Sequence, residues 1–197
     1  MQVEELAFGA FTVTPVLRGD DRGHFAETFR ADVFEEQTGH ALHVAQVNTS
    51  VSRRGVIRGV HYALVPPGQA KYVSCLAGRL LDVVVDIRLG SPTFGQSASV
   101  ELDAETHNAV YIPEGLGHAF VALSDWATVN YLCSTPYAPT REFGVHPLDP
   151  ALALPFGLVE QPILSDRDAA APNLAEAGAL GQLPTFDETS AFVSSLQ

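Results

Sequence analysis

From Arg53 to His61, three arginines and a histidine fall within nine residues of an otherwise acidic chain. A guanidinium presents a rigid fork of donors that matches phosphate oxygens. A short basic patch inside a net-negative molecule suits a small phosphate-bearing ligand better than a polymer; the competing reading is a solvated charge run. Arg58 and His61 stand an odd number of residues apart, so an ideal strand sends them to opposite faces. Gly59 between them permits a bulge that would bring both to one site. Five further polar clusters follow the same logic: Asp21–Glu27, Gln69–Val73, Ile112–Phe120, Tyr131–Cys133 and Leu164–Asp168. The second of these holds Lys71, the one lysine beside ten arginines. A histidine able to take a proton near pH 7, a phenol, a carboxylate and a cation are together the parts of a general acid–base site.

These residues need elements to hold them. Short apolar stretches separated by Gly and Pro predict strands over 10–16, 25–29, 44–51, 55–62, 71–76, 79–88, 97–102, 108–112, 118–123 and 128–134. Turns are expected at Arg18-Gly19-Asp20, Pro66-Pro67-Gly68, Ala77-Gly78, Gly90-Ser91-Pro92 and Pro113-Glu114-Gly115. Many short strands at this spacing predict an all-β sandwich or barrel. One helix is expected early, with Asp32 as N-cap, Glu35 completing a capping box and Gly39 as its left-handed stop. The stretch from Pro136 to Pro155 reads as loop. The tail beyond about residue 170 reads as peripheral surface loop, with one short helix near 186–196.

Strand parity sharpens the picture. Asp82, Val84, Asp86 and Arg88 share one face, and Leu81, Val83, Val85 and Ile87 the other. Gln46, Asn48 and Ser50 likewise oppose Ala45, Val47 and Val51. A solvated outer face is the commoner meaning of such a pattern; the alternative is a barrel whose polar faces line a ligand cavity.

Composition sets the limits. The chain has 197 residues, enough for a single domain spanning 1–197. Its 23 acidic and 11 basic residues give a formal charge of −12, which excludes a nucleic-acid polymer or an anionic membrane surface as the expected partner. No apolar run is long enough for a transmembrane helix, and the first residues lack the pattern of a signal peptide. Cys75 and Cys133 alone make neither a disulfide scaffold nor a zinc site, so a reduced, cytoplasmic protein is expected.

Taken in order, the clusters resemble the family of dTDP-sugar epimerases typified by dTDP-4-dehydrorhamnose 3,5-epimerase. The matching stretches are D-R-G-x-F-x-E at 21–27, Q-x-N at 46–48, G-V-I-R-G-V-H-Y at 55–62 and Q-A-K at 69–71. They continue with D-V-V-V-D-I-R-x-G-S-P-T-F-G at 82–95 and I-P-E-G-L-G-H-A-F-V-A-L-S-D at 112–125. The resemblance implies a jelly-roll, cupin-like barrel with short peripheral helices, an active site inside the barrel, and a homodimer with shared active sites. It implies a dTDP-4-keto-6-deoxy sugar as substrate and inversion of C3, C5 or both by proton removal alpha to the C4 ketone and reprotonation from the other face.

By the same resemblance His61 is the base and Asp168 its carboxylate partner. Tyr131 is the proton donor, and Lys71 stabilises the enolate. Arg58, Gln46, Asn48, Asp82 and His118 line the sugar site, and Glu142 and Arg167 lie near the diphosphate and nucleoside. Arg22, Phe25 and Glu27 reach the nucleotide across the dimer interface. The segment Arg141–Pro150 departs from the rhamnose-pathway pattern. It is more like relatives that make deoxysugars for natural products in actinobacteria, some of which invert only one carbon, so the carbon stays open here. A metal-dependent cupin usually has a His-x-His pair, whereas Tyr62-Ala63 follows His61; neither metal nor cofactor is expected. Two other readings stay open: a non-catalytic nucleotide-sugar binding barrel and a 3,4-ketoisomerase.

Overall fold

The computed structural model describes residues 1–157 and 161–196. One sheet runs in the order β1 (Gln2–Ala7), β2 (Ala10–Thr14), β10 (Ala109–Ile112), β7 (Lys71–Ala77), β12 (Trp126–Cys133), β5 (Gln46–Arg53). The second runs β13 (Glu142–Gly144), β6 (Ile57–Ala63), β11 (Gly117–Ala122), β8 (Arg79–Val85), β9 (Ser97–Asp103). A separate antiparallel ribbon pairs β3 (Leu17–Asp20) with β4 (Gly23–Ala26). The two sheets face each other as a jelly-roll, cupin-like barrel, with Val73, Val84, Val110, Ile112, Phe120 and Val129 packed between them.

Both outer faces also carry apolar residues, and each is treated differently. On the first sheet, helix α1 (Ala31–Thr38) buries Phe34 against Val13, Tyr72 and Tyr111. On the second, Val83, Val85 and Ile87 point outward and are covered by Leu152, Phe156, Leu174, Ala177 and Leu183. That cover explains why the tail is no surface loop. It forms α2 (Asp166–Ala169), α3 (Leu174–Ala179) and α4 (Phe186–Ser195), and an apolar sheet face would otherwise meet water. Asn173 and Glu176 form a capping box at the start of α3, a signal of the kind assigned to Asp32.

At Asp32 the expectation fails. The N-cap is Arg30, with no side-chain cap, and Asp32 lies in the first turn, where its carboxylate receives the Arg30 guanidinium at 2.8 Å. Gly39 is the left-handed stop, its N–H reaching the Glu35 carbonyl at 2.8 Å. Arg18-Gly19-Asp20, expected as a turn, is strand β3; β1 and β13 arise in stretches where no strand was expected.

The strand expected over 79–88 stops at Val85. Asp86 instead anchors the following turn and is fully buried. Arg88 donates to it through Nε at 2.9 Å and Nη2 at 2.8 Å; the Ser91 and Thr93 hydroxyls donate at 2.5 and 2.6 Å. Burial alone would raise this carboxyl. The bonds from Arg88, Ser91 and Thr93 outweigh burial and hold it down at about 2.

A native carboxyl below its unfolded value stabilises the fold above the unfolded value, and the gain is lost as pH falls through the native one. The difference from 3.8 to about 2 corresponds to about 2 kcal/mol. The stability gap between the wild type and Asp86→Asn, measured by urea unfolding, is therefore expected to shrink by about that amount between pH 5 and pH 2. A gap that stays constant over this range would remove the ionised carboxylate from the account.

Candidate active site

The site begins with a bulge. His118 and Phe120 on β11, two residues apart, pair with His61 and Arg58 on β6, three residues apart. The extra residue turns the odd offset into a shared inward face, so Arg58 and His61 both point into the barrel. Gly59 takes it up at φ 111°; a Cβ there would collide with the His118 carbonyl oxygen and come within 2.8 Å of the Ala119 Cα. Only glycine fits this crossing.

Parity then sorts the other strands. Tyr131 pairs with Asn48, and Cys133 with both Gln46 and Lys71, so these residues share the inner face of the first sheet. The polar row of β5 faces inward while Val47 and Val51 face out, 56% and 55% exposed. On β8 the inward row is Leu80, Asp82 and Val84. The lined-cavity reading of the polar faces therefore holds at Gln46 and Asn48, whereas Asp82 shares the inner face but is fully buried and does not wall the cavity.

The cavity has a volume of about 410 Å³ and is walled by Gln46, Asn48, His61, Gln69, Lys71, Tyr131, Tyr137, Glu142 and Arg167. His61 belongs to one sheet and Tyr131 to the other, so a molecule lying between the sheets meets them on opposite sides. Behind His61 sits Asp168, with Nε2 and Oδ1 2.6 Å apart. Asp168 is delivered by the tail. Gly55 and Ile57 bond the backbone of Ile163 at 3.0 Å, and Ser165 caps α2 by accepting from the Asp168 N–H at 3.1 Å.

Burial would raise the Asp168 carboxyl, but its bond to His61 and the nearby imidazole charge, with Ser165, bring it below the usual range. An ionised carboxylate cannot donate, so the His61 Nε2 carries a proton, and in the neutral ring Nδ1 keeps its lone pair. Burial pushes the Tyr131 phenol up, which favours its protonated form. Burial pushes the Lys71 ammonium down, opposed by Cys133, Glu142 and Asp82.

Of the remaining expected residues, Arg58 is exposed and does not wall this cavity; it donates to the Ser52 hydroxyl at 3.0 Å and the Val51 carbonyl at 3.4 Å. Asp82 and His118 form a second carboxylate–imidazole pair, 2.7 Å apart and buried deeper in the barrel. Arg22, Phe25 and Glu27 do not line this cavity. Arg22 and Phe25 lie on or beside the β3–β4 ribbon, where Arg22 is paired with Asp20 and Phe25 is 67% exposed.

Two cavity residues were not among the expected set. Gln69 was within reach of the Gln69-Ala70-Lys71 cluster and is set by its bond to the Thr135 carbonyl at 2.9 Å. Tyr137 lies in a loop with no periodicity to mark it; its N–H reaches the Gln46 side chain at 2.9 Å. Among the described residues no group of three or more His, Cys, Asp or Glu is placed to hold a metal ion.

Residues 6–176 match the family model described as dTDP-4-dehydrorhamnose 3,5-epimerase. The chain is 56% identical over 198 residues to a dTDP-4-dehydrorhamnose 3,5-epimerase of Mycolicibacterium smegmatis, covering 100% of this chain and 98% of that one. It is 53% identical over 178 residues to a dTDP-4-dehydro-6-deoxyglucose 3-epimerase of Streptomyces bikiniensis, covering 90% and 91%. The fold superposes on the Mycobacterium tuberculosis rmlC epimerase with a TM-score of 0.97 at 48% identity over the full length of both chains. It superposes on the 3'-monoepimerase ChmJ of Streptomyces bikiniensis, solved with dTDP-quinovose, with a TM-score of 0.92 at 50% identity over 95% of each.

Gly59→Ala tests the bulge. A positive φ combined with a backbone collision is expected to cost about 3 kcal/mol or more in chemical denaturation, with loss of the His61 geometry. A cost below about 1 kcal/mol would show that β6 reaches its register without glycine.

Proposed function

The chain belongs to the dTDP-4-dehydrorhamnose 3,5-epimerase family, and from that membership and the geometry above we propose how its residues invert a dTDP-4-keto-6-deoxy sugar. The observation that carries the reading is the placement of a histidine–carboxylate pair and a protonated phenol on opposed sheets of one cavity.

His61 Nδ1 takes the proton from the carbon next to the C4 ketone. The C–H electrons become the C=C bond of an enolate, and the carbonyl π pair moves to the C4 oxygen. Asp168 stabilises the imidazolium that forms. Lys71 faces the oxygen as a fixed cation in a partly water-excluded cavity, where such charges count most in the transition state. Tyr131 returns a proton to the same carbon from the opposite side, and inversion follows because the two groups flank the ring. Solvent then resets the imidazolium and the phenolate. Arg58, Gln46, Asn48 and His118 orient the sugar; Glu142 and Arg167 sit toward the nucleotide. Relatives named as 3,5-epimerases and as 3-epimerases both match at more than half identity, so the same machinery serves one carbon or two.

The complete site needs two chains in this reading. The outer face of the first sheet exposes Val47, Val51, Leu76 and Trp126 together, an apolar surface of the kind that protein partners cover. Arg22 and Phe25 stand on or beside the exposed ribbon and do not wall their own cavity, and in this reading they reach that of a second copy.

Two experiments follow. In heavy water, proton NMR of a dTDP-4-keto-6-deoxy hexose is expected to show deuterium entering at C3, C5 or both. His61→Ala should slow this at least about 100-fold, and Tyr131→Phe should impair inversion more than exchange. Absence of exchange by the wild type with 4-keto substrates would favour a binding protein. A product with the carbonyl at C3 would favour ketoisomerase chemistry.

For assembly, light scattering is expected to give twice the mass of one chain. Val47→Asp/Val51→Asp should give monomers with activity reduced at least about tenfold. Monomeric wild type with full activity would dismiss the shared site.

A further inference from the structure

Three strand ends meet where Lys71 enters the barrel. Lys71 opens β7; it pairs with Cys133, the last residue of β12, on one side and with Ile112, the last residue of β10, on the other. Regular pairing stops there. One residue further out, Ala70 faces Ser134, and this rung is closed unevenly. The Ser134 N–H reaches the Ala70 carbonyl at 3.0 Å, but the Ala70 N–H donates to the Ser134 hydroxyl at 2.8 Å instead of to a backbone carbonyl. A side chain thus completes the rung that fixes the backbone immediately before the lysine.

A hydroxyl oxygen accepts such a bond well only when its own proton points away. Glu114 draws that proton: the Ser134 hydroxyl donates to its Oε1 at 3.2 Å. Glu114 lies two residues beyond Ile112, in the turn between β10 and β11, and is 5% exposed. Burial raises its carboxyl, against bonds from its own backbone, Ser134 and the Ala70 backbone. Its side chain also occupies the space that a side chain at position 68 would need. A Cβ on Gly68, which has φ 67°, would come within 2.7 Å of the Glu114 Cβ and Cγ. The chain leading to Lys71 therefore lies directly on Glu114. The same segment is also tied to Thr135, whose hydroxyl donates to the Gly68 carbonyl at 2.8 Å and whose carbonyl accepts from the Gln69 side chain at 2.9 Å.

The proton transfers described above use neither Glu114 nor Ser134, and neither residue walls the cavity. A buried carboxyl bound to a hydroxyl and to backbone needs a reason in what that backbone carries. It carries Lys71, which does wall the cavity. The stem of a lysine is long and flexible, so its charge has a defined place only if the backbone beneath it is held.

We propose that Glu114 and Ser134 are positioning residues for Lys71: the Glu114 carboxyl orients the Ser134 hydroxyl, which clamps Ala70 and so sets the point from which Lys71 reaches into the cavity. The catalytic meaning of the clamp rests on the epimerase reading, but the clamp itself can be measured without substrate.

Amide hydrogen exchange followed by NMR tests the clamp. Ser134→Ala is expected to speed exchange of the Ala70 amide at least about tenfold, with the Tyr131 amide unchanged. Solvent-exchange kinetics in heavy water, with a dTDP-4-keto-6-deoxy hexose, test its effect on Lys71. Ser134→Ala and Glu114→Leu should each lower kcat about tenfold with KM changed less than about threefold, and Glu114→Gln, which keeps an acceptor oxygen, should recover most of the rate. In a Lys71→Ala background Ser134→Ala should lower kcat less than about twofold further, because the group it positions is already gone. A role in stability alone would lower Tm and reduce kcat by the same factor in both backgrounds.

An Ala70 amide that exchanges at the wild-type rate in Ser134→Ala would overturn the clamp. A further loss of about tenfold in the Lys71→Ala background, or a Glu114→Gln variant as slow as Glu114→Leu, would overturn the link to Lys71. Should Glu114→Leu fail to fold, Ser134→Ala decides, since it leaves the buried carboxyl in place. Wild-type protein that shows no solvent exchange, together with release of the Ala70 amide in Ser134→Ala, would refute the epimerase reading and leave the clamp standing.

Discussion

The hydrogen bond between His61 and Asp168 joins a residue early in the barrel to one delivered by the C-terminal segment, and much of the second half of the chain exists to make it. Asp168 cannot be placed by β6 or its neighbours, whose inward positions are already taken. It comes instead from a short helix capped by Ser165 and pinned by the backbone bonds of Ile163 to Gly55 and Ile57. The same segment then continues as the apolar cover of the second sheet. Stability and chemistry thus share one piece of chain. Whatever loosens the packing of Leu174 or Leu183 on Val83 and Val85 also loosens the partner of His61.

The charge distribution answers a second constraint. The molecule carries a net −12, yet its proposed substrate is itself an anion. Most of the arginines away from the site are spent on carboxylates: Arg22 on Asp20, Arg30 on Asp32, Arg54 on Asp125, Arg79 on Glu101 and Arg88 on Asp86. Arg58 and Arg167 instead donate to hydroxyl or backbone oxygens, Arg58 to Ser52 and Val51, Arg167 to the Glu142 carbonyl. A neutral acceptor orients a guanidinium without cancelling its charge. Arg58 and Arg167 therefore keep their positive charge, while the five paired arginines share theirs with a carboxylate.

How much of this was legible in the sequence depends on the kind of signal. Short strands, turns and the order of polar clusters came through because each is local, and they point to the all-β barrel; the grouping of His61, Lys71, Tyr131, Gln46 and Asn48 in one site came from the family resemblance alone. Gly59 announced a permitted bulge, but only the pairing of Arg58 with Phe120 shows that the bulge is used. The two faces of β5 were legible but their direction was not, since the polar row could meet solvent or a cavity and Val47 and Val51, which look like core, stand exposed. Asp32 misled because its carboxylate had a competitor for the cap, the Arg30 guanidinium two residues away. The tail misled because its cover of the second sheet is a long-range contact with no local period. Tyr137 enters the cavity from an irregular loop, where position is set by tertiary bonds alone.

Lysine at position 71 brings the composition and the mechanism together. An arginine there would stay charged without help, since its guanidinium does not deprotonate in proteins, but it would present a wide planar fork where lysine presents a compact charge. Lysine offers the point charge and pays with a pKa that burial can depress.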